Sequence, residues 1–568
     1  MKRRNFLGLL PTTASLAAWT PSNPSINQRG NSSSYEHEIK ADLIVVGGGL
    51  GGFAATMAAL RNGQSVILTE ETDWIGGQIT QQGVPPDEHS WIETHGAPQL
   101  YRNFRNEVRD YYRSYYPLTD AARARPHLNP GDGAVSRLCH EPRIALAVME
   151  NMLLPYMSNG SLRLLTMHRP VGVDVSGDRV NAVQLKNLQT GKSINVYAPF
   201  FVDATELGDL LPLSGAEYIM GAEAKGDTGE LHAAEKADPL NQQAFTYCFA
   251  VDYVKGENHV IDRPETYSFW KDHPPPLTPA WPGKILSLYY SNPSTLEPRQ
   301  LGFHPEGIPT GDMLNLWNYR RIISKSNFKT GFYPGDITVI NWPQNDYMLG
   351  PLAGTSEQEF DQHIYMGKQL SLSLLYWLQT EAPRPDGGTG WPGIRLRADV
   401  MGTEDGLAKY PYVRESRRIN AVFTVLEEHV GKANRALVAG DKDRAHAAKF
   451  YDSVGIGYYH IDLHPSSSGN NYIDFASLPF QIPLGALLPK RIKNLLPANK
   501  NIGTTHITNG CYRLHPVEWS IGEAVGMLVA FARKNKVDPH EVRENPKLLA
   551  DFQDMIHKQG IETQWPDA

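Results

Sequence analysis

The sequence contains very little cysteine. Only Cys139, Cys248 and Cys511 occur in 568 residues, and no two of them form a C-x-x-C pair. A dithiol redox centre and a cysteine-based zinc site are therefore not expected. Three cysteines so far apart also argue against a disulfide framework.

The sequence also lacks an excess of positive charge and any apolar run long enough to span a membrane. The net charge is -7 at pH 7 and the isoelectric point is near 6.3, so neither nucleic acid nor an anionic membrane is an expected partner. The longest apolar run near the N-terminus is too short for stable membrane insertion. Hydrophobic residues make up 41% of the chain and charged residues 20%, which is typical of a soluble globular enzyme.

Three hydrolytic motifs are missing as well. The sequence has no G-x-S-x-G turn, no phosphate-binding G-x-x-x-x-G-K-[ST] loop and no H-E-x-x-H pair. The sequence therefore does not support membership in the three corresponding classes of enzyme. These are the α/β-type serine hydrolases, the P-loop NTPases and the H-E-x-x-H zinc peptidases.

Basic residues open the chain and a short apolar segment follows them. The sequence "RRNFL", starting at Arg3, resembles a twin-arginine export signal, although Gly8 stands where lysine is frequent and Pro11 interrupts the apolar run. A basic tail without a targeting role is the alternative. We expect residues 1–38 to be signal and linker, and the protein to be periplasmic or extracellular after export by the twin-arginine machinery.

A glycine-rich turn follows the apolar segment "LIVV". Gly47, Gly49 and Gly52 fit G-x-G-x-x-G. In this motif the first glycine permits a tight turn, the second lets backbone approach a pyrophosphate, and the third lets the helix pack closely on the strand. Glu70 ends the next apolar segment, where a carboxylate can bind the ribose hydroxyls. The pattern predicts a β-α-β dinucleotide-binding unit.

The glycine pattern alone does not distinguish NAD from FAD, but two further segments resemble flavoproteins. "GGQIT", with Gly76, Gly77 and Gln78, resembles the loop after the ribose-binding acid in FAD-dependent oxidoreductases of the glutathione-reductase-like superfamily. "VDATELGD", with Asp203 and Thr205, resembles the downstream strand of that superfamily, which ends in D-A-T-G. The resemblance implies FAD as the cofactor and these five residues as cofactor contacts.

The C-terminal part adds to this resemblance. "NIGTTHITNGCYRLHPVEW", with Gly503 and Arg513, resembles the flavin segment of the superfamily, and Val171 in an earlier strand is a further expected cofactor contact. The chain departs from the pattern at Glu206, where glycine is usual, and at "PANK", where A-G-R is frequent. These departures fall on the expected pyrophosphate and ribityl contacts.

Two other segments narrow the resemblance to one family. "PYVRESRRI" (411–419) and "DSVGIGYYHIDLHP" (452–465) resemble motifs of a bacterial family described as FAD-dependent oxidoreductases and sometimes labelled xanthan lyase-like. The resemblance covers about residues 41 to 535. It implies hydride chemistry on a flavin but does not define a substrate.

The flavin segment contains two candidate catalytic residues. By resemblance, Arg513 and the helix expected from about Pro516 lie where they stabilise negative charge on the reduced flavin ring. His506 could serve as an acid or base beside the ring. The alternatives are a solvated loop arginine and a structural histidine.

The family-like segments supply the other candidates. "HIDLH" places His460, Asp462 and His464 at alternate positions, so that on a strand they face one side. They could line a pocket or bind a metal; we predict a pocket, with His460 catalytic, and no metal. Arg414 could bind a carboxylate or sugar hydroxyls, or pair with nearby acids, and Tyr412 is a further candidate acid or base.

Several functions remain compatible with these motifs. No second strand–G-x-G-x-x-G–helix unit occurs, which disfavours a two-nucleotide reductase and favours a dehydrogenase or oxidase with an unknown electron acceptor. The substrate is expected to be a small organic molecule carrying a hydroxyl, an amine or a sugar-like group. A flavin monooxygenase and a non-catalytic nucleotide-binding module are the alternatives. Flavin could be attached covalently through His89 or His95, but the spacing of these histidines does not require it, so covalent attachment is not expected.

The order of these segments predicts an α/β fold, in which a Rossmann-type FAD-binding domain carries an inserted α+β substrate or cap domain. We expect residues 39–212 and 490–540 to form the discontinuous FAD-binding domain and residues 213–489 to form the cap. Residues 541–568 are expected to be a C-terminal tail. Helices are expected near 99–116, 141–158 and 354–380, and one strand over Val196–Asp203.

Overall fold

The computed structural model describes residues 39–308, 311–440 and 446–566. The predicted signal and linker, residues 1–38, lie outside the described residues. The strands are β1 (Ile39–Lys40), β2 (Leu43–Val46), β3 (Val66–Thr69), β4 (Leu162–Leu165), β5 (His168–Ser176), β6 (Arg179–Asn187), β7 (Ser193–Tyr197), β8 (Phe200–Asp203), β9 (Tyr218–Ile219), β10 (Phe245–Thr246), β11 (Phe249–Tyr253), β12 (Tyr289–Ser291), β13 (Pro298–Gln300), β14 (Arg321–Ile323), β15 (Ile337–Ile340), β16 (Asp346–Tyr347), β17 (Ile394–Leu396), β18 (Arg418–Ile419), β19 (Ser453–Gly457), β20 (Ile461–Leu463), β21 (Ile473–Phe475), β22 (Phe480–Pro483) and β23 (Leu495–Pro497).

The helices confirm the longer helical predictions within one to three residues. They are α1 (Leu50–Arg61), α2 (Gln99–Tyr115), α3 (Asp120–Arg123), α4 (Pro142–Ser158), α5 (Leu210–Ser214), α6 (Lys225–Thr228), α7 (Tyr267–Asp272), α8 (Leu316–Tyr319), α9 (Glu357–Thr380), α10 (Ala398–Met401), α11 (Glu427–Val430), α12 (Lys432–Ala439), α13 (His506–Tyr512), α14 (His515–Asn535), α15 (Pro539–Glu544) and α16 (Pro546–Lys558). No helix in the described part of the chain combines the length and the apolar character that a membrane crossing requires.

A five-stranded parallel sheet surrounds the strand that precedes the glycines. Its order is β23-β8-β2-β3-β4, and every neighbouring pair is parallel. All four residues of β2, β3 and β8 are buried, as expected for a parallel sheet covered on both faces. Strand β23 comes from the C-terminal part of the chain, so the first and last segments share one sheet.

Helix α1 lies between this sheet and the long helix α14. Its residues from Leu50 to Leu60 are all buried, which explains its small side chains. The two helices approach closely at Gly522 and Gly526: a Cβ atom there would lie 2.0 Å from the Gly51 carbonyl oxygen and 2.2 Å from the Ala55 carbonyl oxygen. This contact fixes the C-terminal segment against the glycine turn.

The middle region has its own antiparallel sheet, in the order β14-β15-β11-β17. Its buried core is rich in aromatic residues, among them Trp270, Trp317 and Trp377. Helix α9 begins with a capping box in which Ser356 and Glu359 bond each other's backbone amides. Parallel and antiparallel sheets in one chain confirm the mixed α/β class, while the domain limits stay a prediction.

Two sequence expectations need comment. The prediction of a single strand over Val196–Asp203 is wrong. The segment contains parts of two strands: β7 joins an antiparallel sheet with β6, and β8 joins the parallel sheet. The chain changes sheets around Pro199, which has no amide hydrogen to continue a strand ladder. The segment 541–568 contains α16, which buries Phe552 and Ile556 in the core.

Candidate active site

The glycine turn connects β2 to α1 at the carboxyl edge of the parallel sheet. Gly47 has φ +101°, and a Cβ atom there would lie 2.2 Å from the Ala204 carbonyl oxygen. At Gly52 a Cβ atom would lie 2.0 Å from the Gly47 carbonyl oxygen. Gly49 precedes the first turn of α1. The three glycines therefore occupy the places that the motif predicts, with the helix N-terminus directed at the turn.

Glu70 follows β3 and faces the same turn. Its Oε2 accepts a hydrogen bond from the Gly48 amide at 2.8 Å, and its Oε1 accepts one from the Thr72 amide at 2.8 Å. Burial raises the pKa of Glu70 to about 7, although these amides favour the ionised form. The acid thus lies beside the glycine turn, as its spacing predicts.

A small cavity of about 30 Å³ opens at this edge of the sheet and is called here the glycine-turn cavity. Three predicted cofactor residues line it: Gly47, Glu70 and Thr205. Val171 is the neighbour in β5 of a further lining residue, Pro170. The whole lining consists of Val46, Gly47, Glu70, Glu71, Gln81, His168, Pro170, Ala204, Thr205, Glu206, Asp209 and Tyr410.

The side chain of Asp203 stabilises the turn that follows β8. Its carboxylate accepts hydrogen bonds from the Thr205 hydroxyl at 2.7 Å and from the Leu210 amide at 3.1 Å. Burial raises the pKa of Asp203 to about 7. Its side chain therefore holds the turn that carries Thr205, and it is not among the residues that line the glycine-turn cavity.

A buried charge cluster lies at the N-terminus of α1. Glu518 Oε1 accepts a hydrogen bond from the Gly51 amide at 3.2 Å, and Lys500 Nζ lies 2.6 Å from Glu206 Oε2 and 3.6 Å from Glu518 Oε2. Glu206 and Lys500 are the two departures from the superfamily pattern, and they form an ion pair with each other. Glu518 was not predicted, because nothing in the helix pattern separates it from an ordinary surface glutamate.

Gln78 connects the glycine side of the site to a second cavity. Gly76 and Gly77, with φ of +110° and +58°, form the turn that leads to it. Its Nε2 donates to the Arg513 carbonyl oxygen at 2.9 Å and also to Glu518. The loop after β3 thus contacts the C-terminal segment directly.

The second cavity, of about 170 Å³, is called here the arginine cavity. It brings together four of the five predicted catalytic residues: Tyr412, Arg414, His460 and Arg513. The alternation in "HIDLH" is confirmed as a pocket-lining pattern, since His460, Asp462 and His464 all line it. The remaining lining residues are Asp87, Tyr290, Pro293, Leu301, Leu314, Leu316, Tyr319, Arg320, Asn341, Trp342, Pro343, Tyr459, Tyr472 and Asp474.

The arginine cavity is held by buried ion pairs. Arg513 donates to the Tyr412 hydroxyl at 3.0 Å and to Asp462 Oδ2 at 2.9 Å. Arg414 lies 3.0 Å from Asp346, which is fully buried, and its guanidinium stacks 4.8 Å from the centroid of the Tyr412 ring. These contacts fix the orientation of both arginines.

The other charged residues of the cavity are paired as well. Arg320 lies 3.3 Å from Asp87, and His460, which is half exposed, lies 3.5 Å from Asp474. His460, Asp462 and Asp474 offer atoms within 4.8 Å of one another that could bind a metal. Arg513 also binds Asp462 of this group at 2.9 Å, and the absence of a metal stays a prediction.

Two predicted residues lie apart from both cavities. His506 begins α13, its Nδ1 lies 2.9 Å from Glu415, and it lines a separate small cavity with Glu223 and Glu230. Gly503 packs against the segment before α11, where a Cβ atom would lie 2.6 Å from the Phe423 carbonyl oxygen. A catalytic role for His506 and a cofactor contact for Gly503 stay predictions.

The histidines considered for covalent attachment belong to another surface. His89 and His95 pack with Trp91 and Trp565. His95 lines a cavity of about 490 Å³ that shares no lining residue with the glycine-turn cavity or the arginine cavity. This larger cavity contains none of the predicted site residues.

A family model described as FAD dependent oxidoreductase matches residues 42–556. The chain belongs to the FAD-dependent oxidoreductase family. FAD is its cofactor, and the protein is an oxidoreductase. No curated protein matches this family member.

Solved structures show only distant similarity to this FAD-dependent oxidoreductase. A geranylgeranyl bacteriochlorophyll reductase-like protein from Thermoplasma acidophilum matches over 93% of this chain and 85% of its own, with 10% identity and a TM-score of 0.30. Glycerol-3-phosphate dehydrogenase from Bacillus halodurans, complexed with FAD, matches over 38% and 41%, with 15% identity and a TM-score of 0.23. L-proline dehydrogenase from P. horikoshii matches over 32% and 24%, with 15% identity and a TM-score of 0.17. The matches span less than half of either dehydrogenase chain.

The residues present fit a buried dinucleotide. At Gly47 and Gly52 a Cβ atom would overlap backbone carbonyl oxygens, so these two positions accept no side chain. Several buried polar atoms beside it have no hydrogen-bond partner among the described residues: Gln78 Oε1, both amide atoms of Gln82, and Glu206 Oε1. Buried polar groups are normally paired, so these atoms suit a polar ligand that passes from the glycine turn toward Gln78.

Proposed function

We propose that the protein oxidises a small, oxygen-rich organic substrate, such as a hydroxyl compound or a sugar derivative, in the arginine cavity. When bound, FAD supplies a two-electron acceptor for hydride. The observation that carries the proposal is the direct contact between the two halves of the site: Gln78 of the cofactor loop donates to the backbone of Arg513, whose side chain lines the arginine cavity.

The hydrogen-bonding groups of the cavity favour oxygen acceptors. Asn341 Nδ2, Trp342 Nε1 and the Nε atoms of the three arginines are buried donors without a partner among the described residues. These nitrogen groups can only donate. Because unpaired buried donors are costly, a substrate with several acceptor oxygens suits this lining better than an ammonium group does.

The charges of the cavity favour a substrate without a large net charge. Each of Arg320, Arg414 and Arg513 has an aspartate partner within 3.3 Å. The arginines are therefore largely neutralised, and they act as fixed donors of hydrogen bonds. A neutral polyol or sugar fits this balance better than a strong anion or cation.

Anaerobic bleaching of the flavin tests this proposal. The purified holoenzyme is mixed with matched sets of polyols and sugars, hydroxy acids, and amines, and the visible flavin absorbance is followed. We expect bleaching by members of the hydroxyl sets without NAD(P)H. Bleaching by amines alone would contradict the substrate class, and reduction that requires NAD(P)H would indicate a monooxygenase.

An Arg513→Met variant locates the reaction in the arginine cavity. The backbone contact to Gln78 is retained, whereas the bonds to Tyr412 and Asp462 are lost. We expect FAD occupancy to be preserved and bleaching to slow at least about 10-fold. Arg491→Met, which removes an exposed ion pair with Glu217, is the matched control and should bleach normally.

We also propose export by the twin-arginine machinery and an electron acceptor other than NAD(P). The first rests on "RRNFL" near the N-terminus, and the second rests on the lack of a second nucleotide motif. Replacing Arg3 and Arg4 together by lysine should retain the protein in the cytoplasmic fraction. An unchanged distribution between cytoplasm and periplasm would contradict export by this route.

A further inference from the structure

His464 directs one ring nitrogen toward a buried carboxylate and the other toward the arginine cavity. It follows β20, and its side chain is about four-fifths buried. Its Nδ1 lies 2.6 Å from Asp346 Oδ2. Its Nε2 lies 3.6 Å from the nearest carboxylate, Asp462 Oδ2, which is beyond hydrogen-bond distance.

Asp346 fixes which nitrogen of His464 carries the proton. It is fully buried in β16 and is also bound by Arg414 at 3.0 Å and by the Thr246 hydroxyl. Burial opposes its ionisation, but Arg414 and His464 hold the pKa of Asp346 below its usual value. An ionised carboxylate only accepts hydrogen bonds, so Nδ1 of His464 donates. In the neutral imidazole this leaves the lone pair on Nε2, facing the cavity.

The charged and titratable groups near His464 come from several elements. Asp346 approaches from β16, and Arg414 lies behind it. Asp462 lies in β20, which His464 follows, and Arg513 is bound to it. The ring of Tyr472 lies 5.4 Å away between centroids. His460 and Asp474 complete the group on the open side of the cavity.

We propose that Nε2 of His464 accepts the proton from the substrate's hydroxyl group. This inference rests on the proposed function. The O–H bond breaks and its proton passes to Nε2; the C–H hydrogen leaves with both bonding electrons for the bound FAD; and the carbon–oxygen single bond becomes a carbonyl. Asp346 is a positioning residue: it holds the ring orientation and stabilises the positive charge that His464 gains.

The other candidate bases are less suited to this role. Tyr412 accepts a hydrogen bond from Arg513, and burial raises its pKa above the usual value. His460 is half exposed, and its Nε2 is directed at Asp474. His506 lies in a separate cavity against Glu415. His464 alone among these four combines a buried orienting carboxylate with a ring nitrogen that faces the arginine cavity.

The test follows flavin reduction in the His464→Ala holoenzyme, with a hydroxyl substrate that bleaches the wild-type flavin. We expect the limiting rate to fall at least about 100-fold while the substrate dissociation constant changes little, and added imidazole to restore part of the rate. His259→Gln, which breaks a histidine–glutamate pair outside the cavity, is the matched control.

A second measurement is independent of turnover. Nitrogen-15 NMR of the histidine rings should show His464 with its proton on Nδ1, and Asp346→Asn should weaken this preference. A proton on Nε2 in the wild type, or wild-type flavin reduction in His464→Ala, would overturn the proposal while leaving the proposed function intact. If no hydroxyl compound bleaches the wild-type flavin, the proposed function is overturned and this inference falls with it. A native flavin spectrum in His464→Gln shows that the site folds without the imidazole.

Discussion

The Gln78–Arg513 contact separates two pairs of buried carboxyl groups whose pKa values are shifted in opposite directions. Glu70 and Asp203 lie on the cofactor side, and Asp346 and Asp462 lie on the side of the arginine cavity. On the cofactor side, burial raises the pKa of Glu70 and of Asp203 to about 7, because these carboxyl groups are bound by backbone amides and a hydroxyl and form no ion pair with any residue that the structure describes. On the cavity side, burial is outweighed by arginine and histidine partners, which hold the pKa of Asp346 and of Asp462 below the usual range. Glu70 and Asp203 are thus bound mainly by backbone amides, whereas the arginine cavity is built from ion pairs; on the cofactor side, Lys500 with Glu206 is the exception.

This difference explains what each region can do. A turn built from glycine and backbone amides can approach a phosphate closely without adding charge of its own. A cavity built from paired arginines and aspartates holds fixed donors and one oriented imidazole in place. Cofactor binding therefore depends on backbone groups, and proton transfer depends on ion-paired side chains, within one site.

The largest effect is expected at the glycine turn. In Gly47→Ala, the new Cβ atom would lie 2.2 Å from the Ala204 carbonyl oxygen in a backbone with φ +101°. We expect FAD occupancy, measured as flavin absorbance per protein, to fall by at least about 10-fold. Gly63→Ala has φ +78° but no atom within 4 Å of its Cβ, so it should cost only about 1–3 kcal/mol and retain FAD. Equal loss of FAD in both variants would contradict a steric cause.

The second prediction concerns the ion pair on the cofactor side. In Lys500→Met, Glu206 and Glu518 lose the cation that lies between them, and we expect the free energy of unfolding to fall by about 3–5 kcal/mol. Adding Glu206→Gly should recover part of this loss, because one buried carboxylate is removed. Lys558→Met breaks an exposed pair with Asp554 and should cost about 0–1 kcal/mol. Denaturant unfolding of Lys500→Met, Glu206→Gly, the double variant and Lys558→Met measures the coupling, and additive losses in the first three would show that the pair does not interact.

The same comparison separates what the sequence could predict from what it could not. The glycine turn, Glu70 and Gln78 lie within a few dozen residues, so a local pattern fixes their geometry. Glu206 and Lys500 were recognised only as separate departures from a pattern, because a distance of 294 residues hides their contact.

The cavity side depends on contacts between segments that are distant in sequence. The alternation in "HIDLH" predicts that three side chains face one pocket. It does not predict that Asp346, 118 residues away, binds His464. His506 is also close to Arg513 in the sequence, but His506 does not line the arginine cavity. α13 directs it instead to Glu415.

The last prediction uses pH to compare Glu415 and Asp203. Burial opposes ionisation of Glu415, but His506 and Arg418 lower its pKa from 4.5 to about 2. Its contribution to stability is therefore complete above pH 4.5 and is lost as the pH falls toward 2. Asp203 behaves oppositely, because its pKa rises from 3.8 to about 7 on folding. Its contribution is complete below pH 3.8 and is lost as the pH rises toward 7.

Relative to wild type, the loss of stability in Glu415→Gln should therefore shrink in acid, and the loss in Asp203→Asn should shrink as the pH rises. Each change should amount to about 3–4 kcal/mol across its range. Urea unfolding of both variants and the wild type over this range of pH measures the two slopes. Slopes of the same sign would mean that Glu415, paired with His506 and Arg418, and Asp203, bound by backbone amides, do not differ as described, because a shared sign requires the same balance of burial and pairing at both.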